Sequence, residues 1–462
     1  MSDSQKKSFW IRALVAVAFA ALCVGVVMAF REPQDKADRD PGGAARSGAG
    51  AAPEGTGKRL VFLTITPHAR SAEAAVKAFE KETGNVFQVK VVNYEEVGAT
   101  IQKDHASNAP QIDVFALFYN DLVPLVTQGA AMDLTDFIEQ NKAIIKPEDF
   151  IPGLYDVYGS YKGRRWALPI DADTHVLFYR KSLLTKYRLN PPDTWDDYLN
   201  VARTITERES SKGIYGAAIM AHPAPILIVS SFMNRLAAFG GELLDRDGHP
   251  TVNSPEAIAA LEAMMEHARY ALPTPLETDF DVSRSAFLSG RVAMVEQWTD
   301  IGVMAEDASQ STIQGDWGVV PMPKGRGPKA RRASALNGGF SVAVSSKSKE
   351  PDIARAFVRF ITRPDTLLTL NLMQGGLDPA RLSVLRSPEF KKFAPEVSAI
   401  EQISLTQPMV AWPSLPQTRT MMDALSEKLV KAMEHHMTAR QALDAVQTQW
   451  TQALAPPPDA TP

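Results

Sequence analysis

One cysteine in 462 residues, Cys23, removes disulfides and thiolate metal centres from the folded part of the chain, because it sits inside an apolar stretch near the amino terminus. Basic excess is missing too. With a formal net charge of −4 there is no positive field to neutralise a phosphate backbone, which excludes nucleic acid as a partner. No G-x-S-x-G elbow, P-loop, H-E-x-x-H pair or catalytic cysteine is present. Long apolar runs are confined to Ala13–Phe30, 18 residues without a charge, preceded by Lys6, Lys7 and Arg12. That charge bias puts the amino terminus in the cytoplasm and the remainder outside. The run falls between a signal peptide and a spanning helix in length. We read residues 1–30 as a retained membrane anchor, with signal cleavage before Phe30, after Val27 and Ala29, as the alternative. Leu22 occupies the place where lipoprotein processing prefers a small residue, so lipidation at Cys23 is the least favoured route.

What is present is enough apolar residue, 45%, to build more than one core. Residues 31–57 are rich in Gly, Ala, Pro and charge without apolar periodicity and read as a flexible tether. As a coil it spans roughly 30 Å and stretches to about 90 Å. From Arg59 the pattern alternates: an apolar run Leu60–Ile65, helical spacing over Ser71–Thr83, a run Phe87–Val92, helical spacing over Glu95–Ala106, then Ile112–Phe118. This β-α-β-α-β order predicts a parallel sheet covered on both faces, with ligands beyond the carboxyl ends of its strands. Thr66–His68, Asn93-Tyr94 and Phe118–Asn120 lie there.

Several segments share the pattern of one family. Phe239-Gly240-Gly241 through Asp247-Gly248 to Ser254-Pro255-Glu256 reads as helix, hairpin, helix. Trp166–His175 runs into Val176–Leu184, and Thr194-Trp195-Asp196-Asp197 forms a helix start with a capping box. Phe287–Trp298, Asp316–Lys324, Leu336–Val344, the helix Pro351–Thr362 and Gly375–Ser383 follow. Together these resemble the extracellular solute-binding proteins of ABC importers, in the maltose-binding-protein-like branch that takes up sugars and polyols, over about Leu60–Trp450. The resemblance implies an α/β, two-lobed periplasmic-binding-protein-like fold with hinge-crossing strands, here preceded by a transmembrane or signal helix. The first lobe is expected from residues 58–171 and 322–369, the second from 172–321 and 370–455, with a disordered tail over 456–462. It further implies capture of a sugar or polyol by lobe closure and delivery to the transmembrane subunits of an ABC permease, at the periplasmic or extracytoplasmic face, with no enzyme activity and no cofactor. A carbohydrate-active hydrolase using Asp171 and Asp173, and a ligand sensor or adaptor on the same fold, are the alternatives.

Sugar recognition takes flat rings against C–H faces and paired polar groups for hydroxyls. Trp298, Trp412, Phe118 and Tyr119 supply rings, each with a place in the core as its plain alternative. Trp412 lies in the Pro-interrupted run Gln407–Pro416, read as a loop holding a ring at a surface. Asp171, Asp173 and His175 occupy alternate positions of the expected hinge strand, hence one face, and Asp300 follows Trp298 by two residues. Asn337-Gly338-Gly339 brings bare backbone near a ligand or makes a tight turn. His68 stands at a strand end, and Arg381 either reaches the cleft or pairs with a surface acid. His435-His436 falls on the helical stretch Thr418–Leu443, where neighbours diverge by about 100° and cannot chelate one metal, so no metal is expected.

Overall fold

The computed structural model describes residues 59–373 and 377–455. Strand β1 (Arg59–Ile65) leads through helix α1 (Ala69–Thr83) to β2 (Val86–Val92), then through α2 (Val97–His105) to β3 (Val114–Phe118). The apolar runs thus form the expected strands. Phe62, Phe79 and Phe87 converge on one ring, Phe357, at centroid distances of 5.2, 5.2 and 4.5 Å, which pins α1 to its sheet.

Beyond Asp171, where β4 (Leu168–Asp171) ends, the chain leaves this sheet, and β5 (His175–Arg180) opens another. Helix α3 (Trp195–Glu209) starts on a capping box between Thr194 and Asp197. Then come β6 (Tyr215–Ala218), α4 (Pro225–Phe239), α5 (Pro255–Ala268), α6 (Phe280–Leu288), β7 (Val292–Trp298), α7 (Ile301–Ala305) and β8 (Trp317–Val320). Helix α4 ends at Gly240 with φ +80°, the left-handed cap expected there. All of its residues from Ile226 to Phe239 are buried, so it is a core helix rather than an amphipathic one.

The return passes through β9 (Ser334–Leu336) to β10 (Phe340–Val344) and α8 (Pro351–Ile361). Further along come α9 (Pro395–Ser404), β11 (Met409–Ala411), α10 (Thr418–Met433) and α11 (Ala439–Leu454). Two main sheets result, ordered β2-β1-β3-β10-β4 and β8-β5-β7-β6, with β9 and β11 paired in parallel as a separate ribbon. The first sheet is mixed, not wholly parallel, because β10 returns from the second sheet and runs antiparallel to both β3 and β4. Alternation along the second sheet divides its core: Val176 and Phe178 face α6, α7 and α9, whereas Leu177 and Met294 face the opposite side.

The single helix expected over Thr418–Leu443 is two helices, α10 and α11, broken where His435 takes φ +60°. His435-His436 therefore lies in a turn. Among the described residues no helix is long and apolar enough to cross a membrane. The apolar run Ala13–Phe30, the linker 31–57, the tail 456–462, and Gly375 and Gly376 lie outside the described residues.

Candidate ligand site at the junction of the two sheets

Strand ends from both sheets meet around the segment Asn337–Phe340. The first sheet brings His68 after β1, Tyr94 after β2, Phe118 at the end of β3, Asp171 at the end of β4 and Phe340 at the start of β10. From the second sheet come His175 at the start of β5 and Trp298 at the end of β7, while Asn337 and Trp412 directly follow the paired strands β9 and β11. The rings form a near-continuous set. Phe118 lies 5.9 Å from Trp412 and 6.0 Å from Phe340, and His68 stands edge-on to Phe340 at 4.8 Å. Across the junction His175 stands edge-on to Trp298 at 4.4 Å.

Asn337 joins the two sides. Its amide donates to Asn234 Oδ1 (2.7 Å) and the Ser230 carbonyl (3.1 Å), and its Oδ1 accepts from Trp412 Nε1 at 3.3 Å. Asn234 in turn donates to His175 Nδ1 (2.9 Å) and Glu296 Oε2 (3.1 Å). Glu296 is gripped by Arg235 through two bonds of 2.6 and 2.9 Å, and both side chains are fully buried. Burial pushes the His175 imidazole down to about 3, leaving it neutral. With Nδ1 accepting from Asn234, its Nε2 carries the proton, and that buried N–H has no acceptor.

A second group is acidic. Asp171 accepts from the Asp378 backbone N–H at 2.7 Å and lies 3.3 Å from His68 Nε2, and Asp378 accepts from the Thr299 hydroxyl. Burial, then the nearby Asp171 charge, raises Asp378 to about 6. Burial followed by Asp378 raises Asp300 to about 7, against a lowering contribution from Arg284. Asp173 and Glu401 are raised as well, first by burial, then by Asp171 and Asp378 respectively. Asp300 and Asp378 line a cavity of about 210 Å³ together with Arg70, Gln310, Asn371 and Leu377.

Asp171, Asp173 and His175 do not share the face of one strand: β4 stops at Asp171 and β5 begins at His175, because the chain changes sheets in between. Trp412 is 3% exposed rather than held at a surface, since Met409–Ala411 pair with β9 and draw it inward. Tyr119 is wholly buried. Its hydroxyl donates to the Leu336 carbonyl (2.8 Å) and accepts from the Trp412 N–H (2.9 Å), supporting the site from behind. Arg381 is not at the junction: its guanidinium is fully buried, donates to the carbonyls of Thr362, Ile145 and Lys146, pairs with Asp149 at 3.4 Å and stacks on Phe150. The carbonyls left open by the surrounding helix ends and turn hold it there.

Asn234, Glu296, Phe340, Asp378 and Glu401 were not among the residues expected from sequence, whereas Tyr94 sits at a strand end where ligands were expected. Arg235 in an apolar helix and Glu296 in an apolar strand are the signal for the ion pair, since such charges are buried only when paired.

Residues 65–366 match the bacterial extracellular solute-binding protein family. The chain belongs to that family. Among similar proteins is a probable amino-acid ABC transporter periplasmic-binding protein of Sinorhizobium fredii, 25% identical over 75% of this chain and 78% of its own length. A probable ABC transporter-binding protein of Deinococcus radiodurans is 30% identical over 62% of this chain and 67% of its own. The fold matches that of an Agrobacterium radiobacter ABC transporter solute-binding protein solved in complex with ribitol, with a TM-score of 0.76 and 23% identity, covering 87% of this chain and 100% of the other. Maltose-bound T. maritima MalE3 matches with a TM-score of 0.74 at 22% identity, covering 86% and 100%. Solute-binding proteins of this family are components of ABC importers outside the cytoplasm, not enzymes, and the hydrolase alternative falls on that membership.

In this solute-binding protein the bare backbone of Gly338 lies close against the Trp298 ring. A Cβ there would sit 2.4 Å from Trp298 Nε1 and 2.7 Å from Asp173 Cβ. Gly338→Ala is expected to displace Trp298 and weaken solute binding at least tenfold, with little change in thermal midpoint; calorimetric titration giving wild-type affinity would reject the contact's importance.

Proposed function

We propose that this chain captures a sugar or polyol by closing two lobes and delivers it to the transmembrane subunits of an ABC permease. The observation that carries this reading is the meeting of Trp298, Trp412 and Phe118 with Asn337, His175 and the carboxylates around Asp171 at one junction. Rings suit C–H faces, and the orphan donors and carboxylates suit hydroxyls. Relatives named a mannitol-binding protein (Pseudomonas aeruginosa) and a maltotriose-binding protein (Pyrococcus abyssi) point the same way. The lobes are residues 58–171 with 322–369 and 172–321 with 370–455. Differential contacts favour their closed arrangement, which the permease reads. Residues 1–30 hold the protein at the membrane and 31–57 give it reach.

Titration of the intact chain with a panel of hexoses, alditols and disaccharides is expected to show one tight ligand that also raises thermal stability by mass action. Trp298→Ala is expected to lower that affinity about tenfold to a hundredfold while the protein stays folded by circular dichroism. Unchanged affinity removes Trp298 as a stacking platform. Release of the full-length protein from washed membranes would reject the anchor.

A further inference from the structure

The acidic group at the junction gathers more carboxyl groups than there are cations beside it. Five carboxyl groups approach one another there: Asp171 from β4, Asp173 from the link to β5, Asp300 at the start of α7, Asp378, and Glu401 from α9. Facing them from the other elements are His68 beside Asp171, Arg70 of α1 in the cavity wall, and Arg284 of α6 acting on Asp300 while itself paired to Asp281. The phenols of Tyr94 and Tyr158 are the remaining titratable groups near Asp173. Two cations and a histidine face five acids, so burial and mutual repulsion hold several of the acids protonated, and Asp378 is hydrogen-bonded with both Asp173 and Glu401.

Independent of the acids, Trp298 is 9% exposed and its indole N–H has no acceptor. That nitrogen and Asp173 Cβ both abut the bare backbone of Gly338, so the orphan donor faces the acidic group across it. A buried donor without a partner costs free energy until something supplies an oxygen. A solute carrying both an acceptor oxygen and a positive charge would satisfy that donor and let the clustered acids ionise. A metal ion does not fit: among the described residues the only acids and histidines gathered closely enough to share one ion are Asp245, Asp247 and His249, in an exposed hairpin elsewhere. Asp300 and Asp378 line a cavity of about 210 Å³, room for a small organic cation, with Asp173 hydrogen-bonded to Asp378 beside it.

Resting on the sugar or polyol reading above, we propose that the solute is an amino sugar or aminopolyol, whose ammonium is received by Asp173, Asp300 and Asp378 while Trp298 Nε1 donates to one of its hydroxyl oxygens. An ammonium forms charge-assisted bonds with these carboxylates and relieves their mutual repulsion, whereas the neutral parent leaves that repulsion in place.

The test is calorimetric titration of the intact chain with matched pairs, glucamine against glucitol and glucosamine against glucose. The amine of at least one pair is expected to bind tenfold or more tightly than its neutral parent. That preference is expected to widen between pH 5 and pH 7, as the acids that burial holds protonated become charged. Asp300→Asn, checked for folding by thermal melting, is expected to bring the ratio within a pair towards one. Equal or weaker binding of the amine overturns the inference and leaves the polyol reading standing. Binding of neither member of either pair, with tight binding of an unrelated solute from the broader panel, overturns both.

Discussion

Glu296→Ala is expected to lower the free energy of unfolding by about 3–5 kcal/mol, because it strands the fully buried Arg235 guanidinium without its carboxylate. Arg235 lies 4.2 Å over the Trp195 ring, and its Nε faces His267 Nδ1 at 3.2 Å, neither of which replaces a carboxylate. Burial and the Arg235 charge both hold His267 well below the ordinary histidine range, so it stays neutral beside the guanidinium. Urea unfolding of the variant measures the loss, and a change under about 1 kcal/mol would show that the pair is not what it looks like. Replacing both partners by apolar residues, Arg235→Met with Glu296→Leu, is expected to recover most of the stability, since desolvation of two charges is then avoided. Binding is expected to stay weakened in the double variant, because Asn234 loses the carboxylate that orients it towards His175 and Asn337.

The second large effect is a dependence on pH. Asp300 moves from an ordinary 3.8 to about 7 on folding, mainly by burial and then by the Asp378 charge. The folded protein thus holds a proton that the unfolded chain has released. Its contribution is fully present below about pH 4 and is lost as pH rises through about 7, so stability of the ligand-free protein falls over that window. At about 1.4 kcal/mol per unit, and discounting for the residue's partial exposure, the change from this residue is on the order of 2–4 kcal/mol. Asp300→Asn carries no titrating proton there. Its stability relative to wild type is expected to rise by that amount between pH 4 and pH 8, in denaturant titrations at both values. Parallel curves for the two proteins would disprove the assignment.

The sheets were largely legible in the sequence, because short apolar runs bounded by turn residues and separated by helical spacing leave little choice of element. Thr194 with Asp197, Gly240 and Ser254-Pro255 marked helix ends by local chemistry alone, and each does so in the structure. Direction was less legible: β10 runs antiparallel to β3 because of where the chain has been, not because of its own residues. The same limit applies to the site. Strand-end position pointed to His68, Tyr94 and Phe118, and the family resemblance to Trp298, whereas Asp378 and Glu401 join Asp171 only through segments some 200 residues distant, a relation no local pattern encodes. Arg381 misled because a lone arginine near a glycine-rich segment gives no sign that Thr362, Ile145 and Lys146 will turn their carbonyls on it.

Ala172, Asp173 and Thr174 make the step from the first sheet to the second, so in the closing motion proposed above Asp171 and His175 flank the crossing about which one half would turn against the other. Groups that close to an axle sweep a short arc and present nearly the same arrangement to an arriving molecule whether the jaws stand apart or together.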